Sequence, residues 1–335
     1  MIVQEYINNP LLINDLKFDI RIYVLMTSIN PLKLYIFEDG LVRFATEKYS
    51  NKMSDLGNNY IHLTNYTVNK DSLKFVHSEE PGEFVGHKWN LKTLWKYFDE
   101  VLEKDWRQAW EETKEVCIKT ILCGYDHIKS EVDNKIGSHY NCYKLFGFDI
   151  LYDENLKPWL IEVNNIPSLF TNTIDSHVNR PMVQEMLNIV GIHVPSTVAC
   201  KHNKAVVKCL ELEQFGIKNI SYDERLYMKR KLTEEVEKEC LYSAGIESST
   251  ILNNLTPNDV RLLIRAEEEL NQTRNWSRLL PSCNRRQYLD WSYSDALLHT
   301  WEVKYGASQE SREEGRELLR SFCKEKYHLV VNSKM

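Results

Sequence analysis

The segment Lys157-Pro158-Trp159-Leu160-Ile161-Glu162-Val163-Asn164-Asn165-Ile166-Pro167 confines a carboxylate and a carboxamide to one apolar run that stops at a proline. Side chains in a strand alternate, so Glu162 and Asn164 share a face. Trp159, Ile161 and Val163 are expected on the other, packed in a core. Upstream, Leu145-Phe146-Gly147-Phe148-Asp149-Ile150-Leu151-Tyr152 is a second apolar run with one carboxylate, and Asp153-Glu154-Asn155-Leu156 reads as the turn between the two. A hairpin centred near Asn155–Leu156 sets Asp149 opposite Glu162, with Cβ atoms about 4.5–5.5 Å apart. Asp149, Glu162 and Asn164 then form an all-oxygen donor set of the kind that suits Mg2+ with phosphate as co-ligand. The same pattern also fits an edge hairpin whose polar face meets water.

Nearer the start, Lys17-Phe18-Asp19-Ile20-Arg21-Ile22 puts Lys17, Asp19 and Arg21 on one face and Phe18, Ile20 and Ile22 on the other. A row of mixed charge in a strand reads as one wall of a polar cleft, or as a solvated face with cross-strand ion pairs of little worth. Glu38-Asp39-Gly40 reads as a hairpin turn before Leu41-Val42-Arg43-Phe44-Ala45, and His62-Leu63-Thr64-Asn65-Tyr66 follows.

Taken in this order, the residues resemble the tubulin tyrosine ligase-like family of ATP-grasp amino-acid ligases. The resemblance covers about residues 2–195. It rests on Gln4-Glu5-Tyr6-Ile7, Lys17 to Arg21, Gly40 to Ala45 with Arg43, His62 to Tyr66, Phe146 to Asp149 and Ile161 to Asn164. A second similarity, from Leu255-Thr256-Pro257-Asn258-Asp259-Val260-Arg261 through Leu280-Pro281-Ser282 and Arg286-Gln287-Tyr288-Leu289, looks like the extension of the glutamylating branch. The implied fold is α+β: the C-terminal part of an ATP-grasp domain, an antiparallel sheet with helices, over 1–195, followed by an α-helical extension over 196–335. The family's upstream half, with its lysine-bearing lid, has no counterpart in the resemblance. The chain is therefore expected to correspond to the C-terminal part of a longer ligase. It departs from the usual pattern at Lys144, where glutamate is common, and at Ile166, where serine is.

The resemblance also implies chemistry. Such ligases use ATP to convert a carboxylate into an acyl-phosphate, which an amine attacks. Asp149, Glu162 and Asn164 are the expected Mg2+ ligands. Gln4, Tyr6, Lys17 and Asp19 are expected at the nucleotide, and Arg21, Arg43, His62 and Asn65, with Thr64, at phosphate and substrate. The implied activity is ligation of free glutamate to glutamate side chains in acidic tubulin tails. The alternatives are glycine or tyrosine ligation on the same fold, or an inactive microtubule-binding fragment.

Composition narrows the partners. A net charge of −6 argues against a general nucleic-acid binder. No apolar run approaches the ~20 residues that span a membrane. The eight cysteines lie scattered without a CxxC pair, which suits reduced thiols in a cytosol. The expected location is the cytoplasm, at microtubules, with cilia or centrioles as further sites. Helices are expected at about 91–130, 179–190, 222–243, 257–273, 285–304 and 309–326, with 131–141 a loop and Met1-Ile2-Val3-Gln4 leading into a strand. Residues 201–232 carry eight Lys/Arg against four Asp/Glu, a local net charge of +4. Lys229, Arg230 and Lys231 are the expected docking residues for an acidic microtubule surface, against the plainer reading of a solvated helix face.

Overall fold

The computed structural model describes residues 4–78, 80–135, 142–169, 174–191, 248–285 and 292–329. It has the expected α+β character, and it divides into two compact units. One comprises Met1–Leu25, Ile36–Cys123 and Leu145–Val183; the other comprises Met26–Tyr35, Gly124–Lys144 and Gln184–Met335.

The first unit is organised by a sheet. Its strands are β1 (Leu12–Ile13), β2 (Leu16–Ile29), β3 (Leu32–Phe44), β4 (Lys88–Asn90), β5 (Lys144–Tyr152) and β6 (Pro158–Asn164). The order is β4-β3-β2-β5-β6, with β1 on β2. On one face Phe18, Ile20, Ile22, Phe148, Ile150 and Tyr152 are almost fully buried. The helix Arg107–Cys123 serves this face through Thr113, whose hydroxyl lies 2.7 Å from the Tyr152 hydroxyl, and through Trp110, whose indole N–H donates to Glu38 at 2.9 Å. The helix Ile174–Val190 serves the other face, where the Tyr23 hydroxyl donates to Asn179 at 2.8 Å.

Four local expectations change here. The Asp-Gly pair does not turn. β3 runs unbroken through Glu38-Asp39-Gly40, and the chain reverses instead at Asn30-Pro31. Gly40 is in the strand because a Cβ there would stand 2.4 Å from the Arg21 carbonyl oxygen, so only glycine allows the neighbouring backbone so close. Asp39 is buried and spends its oxygens on the Gly40 and Lys92 amides and the Asn90 carboxamide, which starts the helix Leu91–Tyr97. Second, residues 4–9 form no strand. Pro10, which lacks an N–H, makes a single bridge to Asp153. Third, the helical stretch expected over about 91–130, interrupted at Glu103 (φ +49°) and resumed at Arg107, runs past its expected end. It then extends to Lys135, into the expected loop. Fourth, Trp159, Ile161 and Val163 are not core residues; each is more than a third exposed, because β6 is the terminal strand of the sheet order.

The second unit is mainly helical, with helices Pro257–Asn271, Tyr293–Tyr305 and Gln309–Lys324. The first opens on a capping box between Thr256 and Asp259, with Pro257 just inside it. Val260, Leu263, Leu297, Leu298 and Trp301 form its core. The expected helix at 285–304 starts only at Tyr293, and Trp276–Leu280 is an unforeseen strand, β7, paired with β3. Buried carboxylates tie this unit together. Glu269 accepts from Lys33 at 2.5 Å, Thr27 at 2.9 Å and Tyr35 at 3.1 Å. Asp295 accepts from the Leu32 amide at 2.7 Å and the Tyr125 hydroxyl at 3.3 Å. Glu267 accepts from Trp301 at 3.0 Å, Arg312 at 2.7 Å and Arg316 at 3.0 Å. The helix expected at 222–243 and the whole basic segment 201–232, with Lys229, Arg230 and Lys231, lie outside the described residues.

Candidate active site

A single polar row crosses the sheet of the first unit. The register sets Lys88 of β4 opposite Arg43 of β3, and Asp149 of β5 opposite Glu162 of β6. Between them β2 supplies Asp19 and Arg21. Directly paired residues share a face, so all these charges face one way.

The expected hairpin register holds at the end away from the turn: Asp149 pairs with Glu162, and Gly147 with Asn164. Beyond that point Ile150 pairs with Leu160, leaving Ile161 as an extra residue, a β-bulge. The bulge moves Trp159 to a position opposite Leu151, the face of Asp149. Simple alternation, which grouped Trp159 with Val163, fails there. The Asn164 amide donates to Glu162 at 2.8 Å, so the two side chains meet as expected. Gly147 keeps the row open. A Cβ on it would lie 3.1 Å from Arg21 Cδ and 2.9 Å from Pro167 Cβ.

Charges in the middle of the row are paired with one another. Arg21 donates twice to Asp149, through Nε and, at 2.9 Å, through Nη2. Arg43 donates to Asp19 at 2.8 and 2.5 Å and reaches Asp149 at 2.7 Å. Asp19, Arg21 and Asp149 are all buried. Burial pushes the Asp149 carboxyl up, but the Arg21 and Arg43 guanidinium groups outweigh it and hold the group below the ordinary aspartate value. Burial likewise acts against the Arg43 charge, and the Asp19 and Asp149 carboxylates more than restore it. The expectation of Asp19 at the nucleotide and of Arg21 and Arg43 at phosphate and substrate thus meets a finding: these residues hold each other.

A second cluster joins Tyr6, Lys17 and His62. Lys17 Nζ donates to the Tyr6 hydroxyl at 3.0 Å and sits 4.6 Å from that ring's centre. His62 Nδ1 is 3.0 Å from the same hydroxyl, while its Nε2 is buried with no hydrogen-bond partner among the described residues. Burial pushes the Tyr6 phenol up, and it lowers the Lys17 ammonium against the pull of Asp19. The His62–Tyr66 loop is fastened by Asn69, whose amide bonds the Leu63 and Asn65 carbonyls and whose oxygen takes the Thr46 amide. Thr64 is buried in this loop, whereas Asn65 and Gln4 are exposed.

Two residues of the site escaped the sequence. Lys88 donates to Asp175 at 2.5 Å and lies 4.6 Å from the Tyr66 ring centre. Asp175 stands in the first turn of Ile174–Val190; its second oxygen, Oδ1, is buried without a hydrogen-bond partner among the described residues. Burial is the first cause of both shifts: Lys88 is lowered, against Asp175, and Asp175 is raised, against Lys88. The His87-Lys88-Trp89 stretch carries one cation beside a tryptophan and gives no spacing signal of its own.

Donor chemistry at the end of the row suits a hard cation. Glu162 and Asn164 are accessible oxygen donors, and Asp149 lies across from them with its charge shared by two arginines. Among the described residues, no group of three or more His, Cys, Asp or Glu side chains stands ready for a metal. The set on offer is two carboxylates and an amide, as the sequence pattern gives it.

The tubulin-tyrosine ligase family model matches residues 1–201. The chain belongs to that family. Similar proteins within it include the tubulin monoglutamylase TTLL4 of Homo sapiens, 35% identical over 99% of this chain and 28% of the relative. The tubulin polyglutamylase ttll-4 of Caenorhabditis elegans is 32% identical over 98% of this chain and 52% of its own length. The tubulin polyglutamylase TTLL5 of Mus musculus is 31% identical over 91% and 23%. The chain therefore spans between about a quarter and a half of these curated relatives. The family match ends at 201, and the relatives' similarity covers nearly all of the chain. Among the described residues, no helix is long and apolar enough to cross a membrane.

Proposed function

We propose that this tubulin-tyrosine ligase family chain is the catalytic part of an ATP-dependent tubulin glutamylase. It would join free glutamate to glutamate side chains in acidic tubulin tails, in the cytoplasm at microtubules. Residues 1–195 would carry the chemistry and 196–335 the helical extension. One observation carries the reading: the row Lys88, Arg43, Asp19, Arg21, Asp149, Glu162 lies on one face of one sheet, and similar proteins over nearly all of the chain are named tubulin glutamylases. Joining two acidic partners needs fixed cations that offset their mutual repulsion, and planar guanidinium groups suit carboxylate and phosphate oxygens.

Asp149, Glu162 and Asn164 would hold Mg2+, which when bound neutralises phosphate charge. Tyr6 and Lys17, with Gln4, would border the nucleotide, His62 and Asn65 the reacting groups. Because Arg21 and Arg43 pair internally, they would position substrate oxygens by sharing contacts with Asp149 and Asp19 rather than by pointing freely into a cleft.

The test is incubation of a longer form that supplies the lid-bearing upstream half with microtubules, ATP, Mg2+ and labelled glutamate, read by mass spectrometry of tubulin tails. Successive additions of a glutamate residue mass support the reading; additions of glycine or tyrosine mass refute it. Glu162 is exposed on an edge strand, so Glu162→Gln should leave stability unchanged to within about 0.5 kcal/mol while abolishing incorporation.

A further inference from the structure

The Lys88–Asp175 pair is built as a site yet is left incomplete. It lies beside the polar row, since Lys88 is in register with Arg43, and its side chains are only 13% and 10% exposed. Asp175 gives one oxygen to Lys88, and its other oxygen is buried without a donor among the described residues. A buried acceptor left unsatisfied is unfavourable, and folded proteins rarely tolerate one without a use for it. The missing partner must bring an N–H or O–H to a buried oxygen beside the Lys88 ammonium. Lys88 has the converse property: its ammonium has three donor hydrogens, of which Asp175 takes one. Tyr66 stacks on the same ammonium and limits where a further acceptor can approach.

A ligand that completes both halves must carry a donor and an anion close together. A free amino acid has that pattern in its ammonium and carboxylate. An ATP phosphate offers only acceptors, so it would satisfy Lys88 and leave Asp175 as it is. We infer that Lys88 and Asp175 together form the subsite for the incoming amino acid, Asp175 accepting from its amino group and Lys88 donating to its carboxylate. This rests on the ligase reading above and adds to it the residues that hold the nucleophile. Both would bind the amino acid directly. Asp175, on a helix, fixes the direction in which the amine faces the row; Lys88, on a strand, fixes how far along the row it sits.

The test compares binding of free L-glutamate and of glutarate, which is glutamate without its amino group, to the full chain and to Asp175→Asn and Lys88→Met, by calorimetry or NMR. Wild type should prefer glutamate over glutarate by about tenfold or more, the usual worth of a charge-assisted hydrogen bond. Asp175→Asn should erase that preference while still binding glutarate. Lys88→Met should weaken both ligands alike. ATP affinity, measured on the same samples, should stay unchanged, and thermal melts show that each variant is folded. An unaltered glutamate preference in folded Asp175→Asn overturns the subsite and leaves the glutamylase reading standing. Glycine or tyrosine binding in place of glutamate, with the same dependence on Asp175, supports the subsite and overturns glutamate as substrate. A wild-type chain that binds ATP but no amino acid overturns the subsite.

Discussion

Replacing Arg43 by methionine keeps the aliphatic stem and deletes the charge. Arg43 is 11% exposed and makes two contacts to Asp19 and one to Asp149. Asp149 would keep its two bonds from Arg21, so the loss falls mainly on Asp19, which is buried. Breaking a buried pair from one side costs about 3–5 kcal/mol, because the remaining charge is left without compensation. At roughly 2–4 °C per kcal/mol, the melting temperature should fall by about 6–20 °C. Asp19→Asn in the same chain removes the stranded charge and should restore part of the loss, giving a coupling that a double-mutant cycle measures directly. Urea denaturation followed by tryptophan fluorescence suffices, since Trp89 and Trp95 are buried in the first unit. A loss below about 1 kcal/mol for Arg43→Met would match an exposed surface pair and refute the network as a structural element. Substrate effects of Arg43 are then to be read only where the variant remains folded, because substitution at this position perturbs fold and chemistry together.

The same network sets an acid limit. Asp149 is held below its unfolded value of 3.8, so its contribution is complete above about that pH and is lost as pH falls through the lower folded value. A stability titration should show a steep acid limb below about pH 3.8 that is flattened in Asp149→Asn, a variant that is also less stable at neutral pH. For the basic segment, replacing Lys229, Arg230 and Lys231 by glutamate should weaken co-sedimentation with microtubules, and added salt should weaken wild-type binding too; unchanged pelleting in both arms returns those residues to a solvated face.

The hairpin was legible because its two carboxylates sit in runs whose alternation and turn residues agree with each other. Asp149 opposite Glu162 agrees with a turn centred on Asn155–Leu156, although the residues nearer the turn pair one step short of that register: Ile150 with Leu160, Leu151 with Trp159 and Tyr152 with Pro158. The Ile161 bulge makes up the missing step, and an extra residue in a strand leaves no mark in a pattern of period two. Asp39-Gly40 misled for a different reason. The glycine is required by the close approach of the Arg21 carbonyl, a tertiary contact that no local signal reports. The apolar run of β6 does not report its exposure, because apolar composition gives no information about which strand ends the sheet. The charged row was legible as a face but not as a network. That Arg21 and Arg43 converge on Asp149 depends on β2, β3 and β5 being neighbours, and Lys88 joins only because β4 pairs with β3. Asp175 lies in a helix whose expected start, near 179, was too late to include it.

Glu269 and Asp295 have a consequence for inheritance. The hydroxyls, the ammonium and the amide that satisfy them come from Thr27, Tyr35 and Tyr125, from Lys33 and from Leu32, far earlier in the chain than the helices that carry the acids. A gene fragment encoding only the stretch after the family match at residue 201 would translate into helices with two buried acids deprived of those partners. Recombination could not graft this extension onto another enzyme as a bead on a string. The tip of the β2–β3 hairpin would have to travel with it, so the two stretches of gene should be gained, lost and altered in concert.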